Sequence, residues 1–132
     1  MPVLTRIFIV DDHDQFRKQL RSLIESRGDW QVCCEAADGN EAVIKHGPAN
    51  PNVTIMDFHM PGLDGLRASR RILADNPGAA ILMITVFASE QLAEQAKRAG
   101  IKGFCSKNKA SSIVSAIEAL LRGETYFLQA IH

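Results

Sequence analysis

Five side chains with reactive or binding chemistry stand where apolar runs stop. They are the acids Asp11, Asp12 and Asp57, the hydroxyl of Thr85 and the ammonium of Lys107. Carboxylates gathered at one place repel one another and raise one another's pKa. A hard divalent cation relieves that repulsion, and Mg²⁺ suits a site with few carboxylates and several retained waters. With the cation bound, Asp57 stays ionised and can act as a nucleophile. The same cation neutralises charge on an incoming phosphoryl group. Lys107 can hold a phosphoryl oxygen as a point charge, and Thr85 can donate a hydrogen bond to another.

These residues meet only if the chain brings their segments side by side. "RIFIV" (6–10) is a near-continuous apolar run, as expected of a strand buried on both faces. Strands are also expected at 30–36, 52–58, 79–85 and 102–106. Helical patterns lie between them. Phe16, Leu20, Leu23 and Ile24 share one face before Gly28, and "GNEAVIKHG" (39–47) reads as a short helix with Asn40 as its cap. Leu66, Ser69, Ile72 and Leu73 mark a third helix, closed near Asn76-Pro77-Gly78. Ser89 opens a fourth that ends at Gly100. Ser111 or Ser112 caps a fifth, carrying Ile113, Ile117, Leu120 and Leu121 and stopped by Gly123. Strict alternation with short loops implies a single α/β domain, (βα)₅, with a parallel sheet covered on both faces. In such doubly wound folds function gathers at the carboxyl ends of the strands. The tips of strands one, three, four and five carry Asp11-Asp12, Asp57, Thr85 and Ser106-Lys107.

The bulk composition narrows the function classes. The 132 residues are 46% hydrophobic, enough for one domain with a core rather than a disordered tail. Lys plus Arg and Asp plus Glu are 15 each, so no basic excess marks a nucleic-acid surface and DNA binding by this segment is not expected. No apolar run approaches the roughly 18 residues of a membrane span. The N-terminus lacks a secretory pattern, so a cytoplasmic location is expected. Cys33, Cys34 and Cys105 have no metal-ligand spacing and read as reduced, mostly buried structural thiols.

With those residues in view, "IVDDH" (9–13), "IMDFHMPGLDG" (55–65), "MITV" (83–86) and "GFCSK" (103–107) together resemble the receiver domain of bacterial two-component response regulators. The similarity covers about residues 5 to 123. "VDDHDQFRKQLRSLIE" and "GIKGFCSKNKASSIVSAIEALLRGETYF" resemble the NarL/FixJ type, whose receivers usually precede a LuxR-type helix-turn-helix domain. The resemblance implies a flavodoxin-like sheet in the order 2-1-3-4-5. It implies that Asp57 accepts a phosphoryl group from a cognate histidine kinase. It makes Asp12 a direct Mg²⁺ ligand, Asp11 a direct or water-mediated one, and the backbone carbonyl of His59 the third protein ligand; Mn²⁺ is a substitute. Thr85 and Lys107 then bind phosphoryl oxygens, and Phe104 changes position when Thr85 is drawn to the phosphate. Homodimerisation on phosphorylation belongs to the same expectation. Residues 1–123 are expected to be the receiver, and 124–132 a tail or the start of a linker to an output domain absent from this sequence.

Three positions depart from the commonest pattern: Val86 in place of alanine, Asn108 in place of proline, and Thr54 inside strand three. None removes a reacting group. An aspartyl phosphatase is disfavoured because it usually carries a second acid two residues after the nucleophile, where His59 stands. A nucleotide-binding fold would need a glycine-rich loop after strand one, and "DDHDQF" is not one. An interaction module that is never phosphorylated would be expected to have lost acids or lysine. Asp14 is assigned to the helix cap, and His13, His46 and His132 to surface or capping positions.

Overall fold

Period-two alternation inside each apolar run decides which side chain goes to which face. In β1 (Thr5–Val10), Ile7 and Ile9 pack on one side of the sheet while Phe8 and Val10 pack on the other. All four are fully buried, as a central strand requires. The computed structural model describes residues 3–127. After β1 come α1 (Asp14–Glu25), β2 (Trp30–Ala36), α2 (Gly39–Ala49), β3 (Val53–Asp57), α3 (Gly65–Asp75), β4 (Ile81–Thr85), α4 (Glu90–Ala99), β5 (Gly103–Ser106) and α5 (Ala110–Leu121). The five strands are parallel, in the order β2-β1-β3-β4-β5. Both the alternation and the sheet order agree with the expectation.

Two apolar layers hold the sheet. Leu20 and Ile24 of α1 join Ile113, Ile117 and Leu120 of α5 against Ile7, Ile9, Ile55 and Ile84. On the opposite face, Leu66, Ile72, Leu92 and Ala96 of α3 and α4 pack with Phe8, Met56, Met83 and Phe104. Burying side chains of this size contributes about 1.5–3 kcal/mol each.

Several local expectations are corrected. The cap of α2 is Asp38, whose carboxylate accepts from Glu41 N at 2.8 Å; Asn40 lies inside the helix. Helix α5 starts at Ala110 after Lys109 and has no side-chain cap bond, so neither Ser111 nor Ser112 caps it. Asp14 is the first residue of α1 rather than its cap; it pairs with Arg17 one turn on, and His13 takes the cap position. His46 is not a surface residue. It is buried, with its ring centroid 6.4 Å from that of Phe8, and burial lowers its pKa. Cys33 and Cys34 are half-buried, and only Cys105 is fully buried. Ser89 does cap α4, accepting from Leu92 N at 3.1 Å, and the helix closes on Gly100 at φ 95°. His132 lies outside the described residues.

Beyond α5 the chain turns at Gly123 and returns to the sheet. Tyr126 pairs in parallel with Gly103, and its carbonyl accepts from Phe104 N at 2.8 Å. Tyr126 N donates to Lys102 O at 3.0 Å. The outer edge of β5 is therefore partly closed rather than left open to pairing with another chain.

Candidate functional site

The register of the sheet aligns the reactive residues. Val10 is opposite Met56, so Asp11 and Asp57 leave adjacent strands at the same level. Asp57 is opposite Ile84, one residue before Thr85, and Thr85 is opposite Ser106, one residue before Lys107. Hydrogen bonds continue the ladder past the strand ends: Asp11 N to Ala36 O at 3.0 Å and Lys107 N to Thr85 O at 2.9 Å. Backbone pairing, rather than loop conformation, thus sets these positions.

The loop that follows Asp57 must clear it at once. Gly65 makes this possible: a Cβ there would lie 2.2 Å from the Asp57 carbonyl oxygen. Gly65 N instead donates to Phe58 O at 2.8 Å, closing the loop into α3. Asp64 caps that helix through Arg67 N at 2.8 Å.

Asp11, Asp12, His13 and Asp57 each offer one donor atom, and the four atoms lie within 4.8 Å of one another. Asp11 is fully buried and Asp57 is 3% exposed. Lys107 Nζ reaches in between, 2.7 Å from Asp11 Oδ2 and 3.4 Å from Asp57 Oδ2. It also stands 4.5 Å from the centre of the Phe16 ring, a cation–π contact that steadies the ammonium. One lysine does not neutralise three carboxylates. Burial first, and then the Asp11 charge, push the Asp57 carboxyl from its usual 3.8 up to about 6, against the opposing pull of Lys107.

Asp11 Oδ2 and Asp12 Oδ1 are buried without an aligned hydrogen-bond donor, although Lys107 and His13 stand close to them. Three carboxylates that bring oxygens to one space with a single lysine among them fit a hard divalent cation. The acidic rim therefore could hold a metal ion.

Other expected residues take supporting positions. Thr85 is fully buried, and its Oγ1 accepts from Phe87 N at 3.1 Å. Phe104 is fully buried opposite Met83, in the layer under α4. His59 sits in the β3–α3 loop, its ring edge-on to Phe58 at 4.7 Å and to Phe87 at 6.0 Å. Beside it opens a shallow hollow of about 470 Å³, bounded by Asp12, His13, Met60 and Asp64.

Two residues of the site were not expected. His13 Nδ1 is 3.2 Å from both Asp11 Oδ1 and Asp12 Oδ1 and 3.4 Å from Lys107 Nζ. Its adjacency to the acid pair was the available signal. Arg17 donates to the Asp11 carbonyl at 2.5 Å and to Glu35 at 3.1 Å, tying the end of β1 to α1 and β2. It was invisible because Glu35 is remote in sequence.

The model of the response regulator receiver domain family matches residues 7–118. The response regulator protein VraR of Staphylococcus aureus is 32% identical over 123 residues, covering 92% of this chain and 59% of VraR. The chain thus spans under two thirds of that relative's length. A LuxR-family two-component response regulator from Aurantimonas shares 36% identity at a TM-score of 0.90, over 93% of this chain and 89% of that one. A CheX-CheY-BeF3-Mg complex from Borrelia burgdorferi shares 28% identity at a TM-score of 0.83, over 89% of this chain and 90% of that one. With its residues 7–118 matched and these relatives alongside, the chain belongs to the response regulator receiver domain family.

Proposed function

We propose that this receiver is a phosphorylation-controlled switch in two-component signalling, with Asp57 as the acceptor and a cognate histidine kinase as the donor. The observation that carries the reading is the placement of Asp57: a nearly buried carboxylate at a strand tip, with an ammonium 3.4 Å away and two more carboxylates beside it. A carboxylate oxygen of Asp57 attacks phosphorus, an acyl phosphate forms, and the P–N bond to the donor imidazole breaks with its electron pair leaving on nitrogen. Lys107 and Thr85 hold oxygens of the transferred group. Asp11, Asp12, Asp57 and the His59 carbonyl hold Mg²⁺, with Mn²⁺ as a substitute. Bound there, the cation keeps Asp57 ionised and offsets phosphoryl charge.

Phosphorylation then draws Thr85 toward the new group, and Phe104 takes up the vacated space. The chain turns over no outside substrate; it catalyses only its own phosphorylation and dephosphorylation. Residues 1–123 act as the receiver, and 124–132 lead toward an output domain that controls transcription, as the LuxR-family relative suggests. The phosphorylated form pairs as a homodimer, and this segment does not bind DNA itself. Among the described residues no helix is long and apolar enough to cross a membrane. We place the protein in the cytoplasm.

Incubation with acetyl phosphate and Mg²⁺, followed by intact-mass measurement, tests the assignment. One phosphoryl adduct is expected, absent from Asp57→Asn and suppressed by chelation. An adduct that persists in Asp57→Asn overturns it.

A further inference from the structure

We propose that residues 124–127 form a strap that holds the receiver in its resting state, so that the seated strap and phosphorylation oppose each other. The proposal rests on the reading of Asp57 as the acceptor and of Phe104 as the residue that moves.

The strap is built like a sixth strand cut down to a single pair. Helix α5 ends at Leu121, and Gly123, at φ 80°, turns the chain back toward the sheet. Glu124 N donates to Ala119 O at 3.0 Å and fixes that turn. Tyr126 then straddles Gly103 with two bonds: its N donates to Lys102 O at 3.0 Å, and its carbonyl accepts from Phe104 N at 2.8 Å. Successive side chains of the strap go to opposite faces, as in a strand. Tyr126 packs with the layer of α1 and α5, and Phe127 packs with the layer of α3 and α4. Lys97 Nζ of α4 stands 5.0 Å from the centre of the Phe127 ring. The edge of the sheet is thus clipped on both faces. Gly103 lets the strap close: a Cβ there would lie 3.0 Å from the side chains of Leu82 and Leu120 and 3.5 Å from Tyr126 O.

The strap grips the proposed switch residue in two ways. Phe104 is bonded to it through the backbone and shares the α3–α4 layer with Phe127. A shift of Phe104 toward the space that Thr85 vacates pulls against both attachments. Coupling between two equilibria is reciprocal. If moving Phe104 loosens the strap, the seated strap resists moving Phe104. The attachment is slight enough to be reversible: Gly123, Glu124 and Thr125 are exposed, and Tyr126 and Phe127 are only half-buried.

The test is titration of the 132-residue chain with beryllium trifluoride, a tetrahedral phosphoryl mimic, in the presence of Mg²⁺. Tyr126→Pro removes one N–H donor of the strap, and Phe127→Ala removes its clip on the α4 side. Each variant is expected to bind the mimic at least about threefold more tightly than wild type, the scale of one lost backbone hydrogen bond. Saturating wild type should speed amide exchange at Phe104 and Tyr126 together. Should Tyr126→Pro fail to fold, Phe127→Ala decides. Affinity no tighter than wild type in the folded variants, or both amides as protected at saturation as before it, overturns the proposal. Asp57→Asn separates the two layers. Binding lost in Asp57→Asn, with both amides still protected in saturated wild type, overturns the strap alone. Binding retained in Asp57→Asn overturns the acceptor reading and the strap with it.

Discussion

Lys107 pairs more closely with Asp11 than with Asp57: its Nζ is 2.7 Å from Asp11 Oδ2 and 3.4 Å from Asp57 Oδ2. The ammonium thus serves as a counter-ion for the rim as well as a group beside the proposed acceptor. A lysine in that role competes with any divalent cation drawn to the same carboxylates.

Replacing Lys107 should therefore separate cation binding from phosphoryl acceptance. Lys107→Met is expected to bind Mg²⁺ about three- to tenfold more tightly, the effect of removing one nearby positive charge at high effective dielectric. Its labelling by acetyl phosphate should nevertheless slow. Titration calorimetry and labelling rate measure the two quantities. Weaker Mg²⁺ binding in Lys107→Met would show that the lysine organises the rim rather than competing for it.

The raised carboxyl of Asp57 gives a pH dependence whose sign can be worked out. Its folded pKa of about 6 lies above the usual 3.8, so between those values the native state holds more protons than the unfolded chain. Stability from this group is present at low pH and is lost as pH rises through about 6. Without metal, Asp57→Asn should stabilise the protein at pH 7.5 by on the order of 2 kcal/mol, and by little near pH 4. Mg²⁺ should raise the stability of wild type more than that of the variant. Urea melts at the two pH values decide the matter; a variant no more stable than wild type at pH 7.5 contradicts it.

The elements that were legible from sequence are those in which local pattern and tertiary packing ask for the same thing. Ile7, Phe8, Ile9 and Val10 had to be a central strand because nothing else buries four such residues in a row. The acids at the strand tips were legible because each closes an apolar run. Helix ends were less so. Gly39 was read as flanking a helix capped by Asn40, but it is the first residue of α2 after the cap Asp38, and it must be glycine because Leu63 O passes where a Cβ would stand, 2.2 Å away. Gly47 and Pro48 failed to end α2, which runs to Ala49. Proline frees the carbonyl four residues earlier, here that of Ile44, which is 75% exposed, so water can satisfy it. His46 was read as polar surface, yet it follows Ala42 by four residues on the inner face of α2. The site was legible in its acids, Thr85 and Lys107. Arg17 was not, because its link to Glu35 exists only once β2 lies beside β1.

The covered edge of β5 gives the proposed switch a readout. Phe104 N is bonded to Tyr126 O at 2.8 Å, so a displaced Phe104 backbone would disturb residues beyond α5. Phosphorylation should change amide exchange across residues 85 to 106, including at Phe104. Thr85→Ala should still take up phosphate but show a weaker exchange response, because the hydroxyl that links the phosphoryl group to β4 is gone. Exchange in that segment unaltered by full phosphorylation would exclude the switch.

The phosphorylated form should be long-lived for a receiver. Hydrolysis needs a water in line behind phosphorus, opposite the Asp57 oxygen, and catalysis of that step is mostly positioning. Val86 and Phe87 follow Thr85 directly and offer no acid or amide to orient the water; they are 45% and 74% exposed at the mouth of the site. Of Val86, Phe87 and His59, His59 is the one whose side chain can hold a water. Its imidazole is flanked edge-on by Phe58 at 4.7 Å and Phe87 at 6.0 Å, which restricts its swing toward the acceptor. Two apolar neighbours and a hemmed imidazole leave attack slow. Val86→Ala should shorten the half-life by opening the approach, and His59→Ala should change it little. Half-lives of wild type and the two variants, followed by loss of the phosphoryl mass, settle the question. If Val86→Ala does not hasten loss while His59→Ala strongly slows it, bulk at Val86 is irrelevant and His59 controls the water.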